Sequence, residues 1–114
     1  MDLVVQCYAL ARQLPGEERF ELSAQVRSAA VSVVANIAEG HGRFHAGDFV
    51  RFLSIASGSL RELETALLIA VRVGYLEHEA AVKSLELADE VGRMLAGLIG
   101  AVRRNHKLSN SLTL

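Results

Sequence analysis

Gln25-Val-Arg27-Ser28-Ala-Ala-Val-Ser32-Val-Val-Ala-Asn36-Ile-Ala-Glu39-Gly40-His41-Gly42-Arg43 is the stretch whose reading decides the fold. From Val26 to Ala38 it is apolar around most of a helix circumference. Its polar residues Gln25, Ser28, Ser32, Asn36, Glu39 and Arg43 fall on one line, each three or four residues from the last. A helix apolar on most faces is buried on most faces. One small bundle of 114 residues offers too few other helices to cover it, so the pattern predicts self-association. Gly40 and Gly42 are read as the helix end.

Working outward, the segment before it starts near Glu17, where Glu17 and Glu18 suit the positive end of a helix dipole. Ahead of that, Leu3, Cys7, Leu10 and Leu14 recur as one helical stripe. Pro15 and Gly16 stop this first helix after Leu14. Beyond the glycines, Phe49, Phe52, Leu53, Ala56, Leu60, Leu63, Leu67 and Ala70 predict a third helix from Ala46 to Val73. Within it Ala56, Gly58 and Ser59 are small neighbours, read as a place where another helix comes close. Gly58 costs about 1 kcal/mol in a helix relative to alanine. Gly74 is the expected C-terminal stop.

A fourth helix is expected from Glu77 to Arg104, with Val82, Leu85, Leu95, Ile99 and Val102 in one phase and Leu87, Val91, Met94 and Leu98 in another. The expectation is one all-α domain over residues 1–104, an up-down-up-down four-helix bundle. Residues 105–114 are read as a flexible polar tail.

Composition agrees. The apolar fraction is 51%, aromatics are 5% and there is one proline, with little that resembles alternating strands. The formal charge of −1 advertises neither nucleic acid nor a basic partner across the whole chain. A single cysteine forms no internal disulfide, which points to a reducing, cytoplasmic setting. Met1-Asp2 opens no secretory signal. Ser28 to Ala38, the longest uncharged apolar run, is about half of the roughly 20 residues a membrane span needs.

The motifs Leu22-Ser-Ala-Gln25-Val-Arg27, Ser32-Val-Val-Ala-Asn36-Ile-Ala-Glu39-Gly40 with Gly42-Arg43, Phe52-Leu53-Ser-Ile-Ala56, Gly58-Ser59-Leu60, Glu62-Leu63-Glu64 and Gly74-Tyr75 resemble a known family. This is the four-helix bundle family encoded in intervening sequences of bacterial 23S ribosomal RNA genes. The resemblance runs over roughly residues 3 to 100. It implies a four-helix protomer in a homopentameric ring, for which no enzymatic activity is established; no cofactor is expected. A related accessory protein of diversity-generating retroelements associates with a reverse transcriptase and with nucleic acid, so RNA, DNA and a reverse transcriptase-like protein are the partners it implies. The chain departs from the family at Ser28 and Ser57, where arginine is common. Both changes remove positive charge.

Gln25, Arg27, Ser32, Asn36, Glu39, Arg43 and Glu62 are read as a structural polar seam that fixes helix register or a subunit interface, since buried polar groups need partners. Glu62 is expected to meet Arg27 or Arg43. The rival reading is an enzyme or ligand-binding protein with Asn36, Glu39 and Glu62 in an inter-subunit cleft. A di-iron bundle needs Glu-x-x-His on two helices. None occurs, and no metal is expected. Arg43, Arg51, Arg61, Arg72, Arg103, Arg104 and Lys107 are the candidate nucleic-acid contacts. Repeated around a ring they would form a belt with salt-dependent affinity. Aromatic residues are not expected among these arginines, which argues against a platform for stacking bases.

Overall fold

A computed structural model describes residues 1–16 and 19–112, and the side chains of all these except 19, 20 and 109–112. The Glu17-Glu18 helix start lies outside the described residues. Four helices follow one another: α1 (Asp2–Ala11), α2 (Arg19–His41), α3 (Ala46–Arg72) and α4 (His78–Leu112). No strand occurs among the described residues. Each helix packs on the next, and α1 returns against α4. No helix of the described residues is long and apolar enough to cross a membrane.

The core follows the three-four spacing of α3. Leu53, Ala56, Leu60, Leu63, Ala66, Leu67 and Ala70 are buried along one face, because residues three and four apart share a side of a helix. Val26, Ala30 and Val33 of α2 face them, and Leu3, Cys7 and Leu10 of α1 close one side. α4 meets this core with Leu95, as its pattern implies, and with the smaller Ala81, Ser84 and Ala88, while Leu85 and Ile99 pack partly buried beside them. Of the second stripe, Leu87, Val91 and Leu98 are partly buried against the core, and Met94 alone turns to water, 72% exposed.

Two boundaries differ from the sequence reading. α1 ends at Ala11, although Leu14 stays buried in the turn beyond it. α4 runs to Leu112 instead of ending at Arg104. No proline or glycine follows Gly100 in the described part of α4, so nothing there interrupts helical hydrogen bonding. The end of α2 agrees with the reading: it stops at His41, between Gly40 and Gly42. Gly74 does act as the expected stop of α3. Its φ of 85° is left-handed, and Tyr75 and Leu76 N–H groups return to the Ala70 carbonyl, the pattern glycine serves after a helix.

Lengths set the shape. A 35-residue helix such as α4 spans about 52 Å, and a 10-residue helix such as α1 about 15 Å. The molecule measures 60 × 21 × 19 Å with a radius of gyration of 16.5 Å, where a compact chain of this size has roughly 13 Å. α1 therefore covers only one half of the bundle. In the other half an apolar groove of about 460 Å³ opens between α2 and α4, lined by Ile37, His41, Val91, Met94, Leu95 and Leu98.

Two glycines test this packing. At Gly40 an added Cβ would lie 2.9 Å from Phe49 Cδ1 and 3.3 Å from Phe52 Cβ. At Gly58 it would meet nothing within 4 Å, so this residue is not at a close approach inside the protomer. Gly40→Ala is expected to lower stability by about 1–2 kcal/mol, overpacking outweighing helix propensity. Gly58→Ala is expected to raise it by about 0.5–1 kcal/mol. Denaturant unfolding of both variants checks the pair. A loss at Gly58→Ala would reveal a neighbouring helix there in the assembled protein.

Candidate nucleic-acid interface

The α2–α3 connection is tight. Gly42 N–H donates to the Glu39 carbonyl and Arg43 N–H to that of Gly40, each at 3.1 Å. His45 caps α3 in an extended conformation. Because Gly40 has no side chain, Phe49 and Phe52 of α3 sit directly on α2. His41 meets Phe49 with ring centroids 5.2 Å apart.

Phe52 then becomes a support for charge. The Arg43 guanidinium lies 4.7 Å from its ring centroid and that of Arg51 lies 5.0 Å from it. The negative face of an aromatic ring attracts such cations. Arg43 Nη2 also donates to Glu39 Oε2 at 3.0 Å. Both partners are exposed, so this pair holds orientation more than it adds stability. Phe44, between the two arginines in sequence, is fully exposed. Arg43, Phe44 and His45 share a hollow of about 470 Å³ with Val102, Asn105 and His106 of α4. The sequence reading missed this aromatic content. The signal was present as Arg43-Phe44 and Arg51-Phe52, one pair on each side of the turn.

Charge is segregated along the molecule. Arg43 and Arg51 flank the turn, and the stretch of α4 that carries Arg103, Arg104 and Lys107 runs past it, with Glu39 and Asp48 as the acidic residues next to the turn. The chain overall has 12 basic and 13 acidic residues, so the rest of it is net acidic. Five of the seven arginine and lysine candidates thus gather at one end. Arg61 lies midway along α3, and Arg72 lies in its last turn at the opposite end.

The polar seam breaks into separate local contacts. Ser32 Oγ and Ser59 Oγ are 2.7 Å apart and tie α2 to α3. Asn36 Nδ2 donates to the Ser32 carbonyl at 2.8 Å and to Ser32 Oγ at 3.1 Å, so Asn36 acts on the helix contact only through Ser32. Arg27 donates to Ser23 Oγ. Gln25 and Glu62 are exposed and line a shallow α2–α3 groove. Glu62 pairs with neither Arg27 nor Arg43, contrary to expectation, because Glu39 and Ser23 hold those arginines. Within the protomer Asn36, Glu39 and Glu62 do not converge on one pocket. Ala56 and Ser59 are buried facing α2 or the core, whereas Gly58 is exposed.

No group of three or more His, Cys, Asp or Glu residues able to hold a metal occurs among the described residues. Cys7 is buried, and burial pushes its thiol up to about 11, with Ser84 beside it offsetting only part. At neutral pH such a thiol is protonated and a poor nucleophile.

The 23S rRNA-intervening sequence protein family model matches residues 1–97. Among solved structures, a protein of unknown function from the S23 ribosomal protein family of Bacteroides thetaiotaomicron is similar. Its TM-score is 0.80 at 26% identity, over 86% of this chain and 92% of that one. No curated protein matches.

The Ser32–Ser59 contact has a measurable coupling. Ser32→Ala and Ser59→Ala are each expected to cost about 1 kcal/mol, and the double variant less than their sum by about 0.5–1 kcal/mol. Denaturant unfolding of the four proteins gives that difference directly.

Proposed function

We propose that this chain, which belongs to the 23S rRNA-intervening sequence protein family, works as a non-enzymatic, homo-oligomeric scaffold that holds structured RNA or DNA at its arginine-rich end. The observation that carries the reading is the placement of Arg43 and Arg51 on Phe52 beside the exposed Phe44. Nucleic acid is also the ligand class that the family resemblance suggests, through the related retroelement accessory protein. The net acidic remainder of the surface is open to a protein partner, a reverse transcriptase-like protein being the one the family resemblance suggests. A cytoplasmic site of action belongs to the same reading.

Self-association rests on exposed apolar surface. On α2, Ala24, Ser28, Val31, Ala35 and Ala38 are all exposed and alternate at four and three residues. That is the spacing of a helix-pairing seam. On α1, Met1, Val5 and Tyr8 form a second exposed stripe. The protomer exposes 7422 Å², where a compact monomer of its mass exposes about 6,100 Å². Two unlike stripes suit a head-to-tail contact that closes into a ring, and five is the ring size the family resemblance suggests. Cyclic symmetry would place every basic end on the same side, turning a modest cluster into a belt.

Titration of structured RNA and duplex DNA with the purified protein is expected to show affinity that falls steeply between 50 and 200 mM salt, as about ten phosphate contacts would give. Replacing both Arg43 and Arg51 by Gln should weaken binding at least about tenfold and flatten the salt slope. Light scattering in the same buffer should give a mass several times 12.3 kDa. Absence of binding at low salt would remove the nucleic-acid part. A monomer mass would remove the scaffold.

A further inference from the structure

Resting on that reading, we infer that the nucleotide held at the α2–α3 turn is an unpaired one, its base stacked on Phe44 and its phosphate held by Arg43 and Arg51.

Phosphate alone would need only the arginines. Their guanidiniums are already oriented by the Phe52 ring at 4.7 and 5.0 Å, and only Arg43 is tied to a carboxylate. Phe44 adds a second element that backbone binding does not use. Its ring is wholly in water and follows Arg43 directly, whereas Phe49 and Phe52 are half-buried against α2. An open aromatic face next to a fixed cation matches a base next to its own phosphate.

A paired base does not fit this arrangement, because stacking inside a duplex already covers both of its faces. The bases of A-form RNA also lie in a major groove too deep and narrow for side chains to read, and proteins reach RNA bases mainly in loops, bulges and ends. The hollow beside Phe44 gives the base edge polar neighbours, since the exposed Asn105 amide lines it. Nothing in the turn distinguishes ribose from deoxyribose. Unpaired RNA and unpaired DNA therefore share the chemistry this site takes.

The test compares a 20-nucleotide single strand with its blunt duplex, as RNA and as DNA, at one low salt concentration. The proteins are the full chain and its Phe44→Ala and Phe44→Leu variants. The unaltered protein is expected to favour the single strand by about tenfold. Phe44→Ala and Phe44→Leu should each lose about five- to hundredfold for the single strand, the range that base–aromatic stacking gives, with duplex affinity unchanged. Phe44 touches no core residue, so folding is preserved, and light scattering should give one mass for all three proteins. Duplex binding as tight as single-strand binding, or a preference that survives Phe44→Ala, overturns the inference while leaving the end a nucleic-acid surface. A fall in mass for Phe44→Ala overturns it by making Phe44 a subunit contact. No binding of any strand by the unaltered protein overturns both. An RNA-only or DNA-only preference that Phe44→Ala abolishes supports the inference and identifies the source.

Discussion

The contact of Phe49 and Phe52 with the bare backbone of Gly40 is the constraint on which the rest of this molecule depends. A side chain of any size at position 40 would enter the space of the Phe49 ring and press on the Cβ of Phe52. Without one, the start of α3 closes onto the end of α2, and the connection between them shrinks to residues 42–45. Phe52 stays half-buried there, with two guanidiniums over its ring. One glycine thus links core packing to the placement of charge. The Ser32–Ser59 hydrogen bond holds the same two helices further along, in a stretch where the facing side chains are small enough for hydroxyls to meet.

The helices and most of the core were readable from the sequence because period-3.6 patterning reports burial directly. Leu53, Leu60, Leu63 and Leu67 recur at helical spacing and are buried as that spacing implies. Gly74 was readable because a left-handed residue after a helix is a local event. The role of Gly40 was not, since a glycine near a helix end looks the same whether it ends the helix or admits a neighbouring ring. The polar line on α2 illustrates a second limit. Helical spacing put Gln25, Ser32, Asn36 and Glu39 on one face, but Ser32, with Asn36 bonded to it, reaches Ser59 on α3, Glu39 holds Arg43 and Gln25 lines an exposed groove.

The candidate interface was hidden by summation. A net charge of −1 describes an evenly mixed surface as well as a polar molecule with unlike ends. Only the fold brings the C-terminal half of α4 beside the α2–α3 turn and so adds Arg103, Arg104 and Lys107 to Arg43 and Arg51. The short α1 has a similar effect on apolar surface. It covers one half of the bundle and leaves Ile37, Val91 and Leu98 around an open groove in the other. That groove lies on the half carrying the arginines.

Hydrogen–deuterium exchange of the full chain with and without a single-stranded RNA, at saturating protein and low salt, tests the central claim most directly. The account predicts slowed exchange concentrated in residues 40–52 and 102–108, with residues 77–90 at the opposite end unchanged. Saturated binding that instead protects the acidic end, or leaves the turn between α2 and α3 exchanging as before, would contradict it.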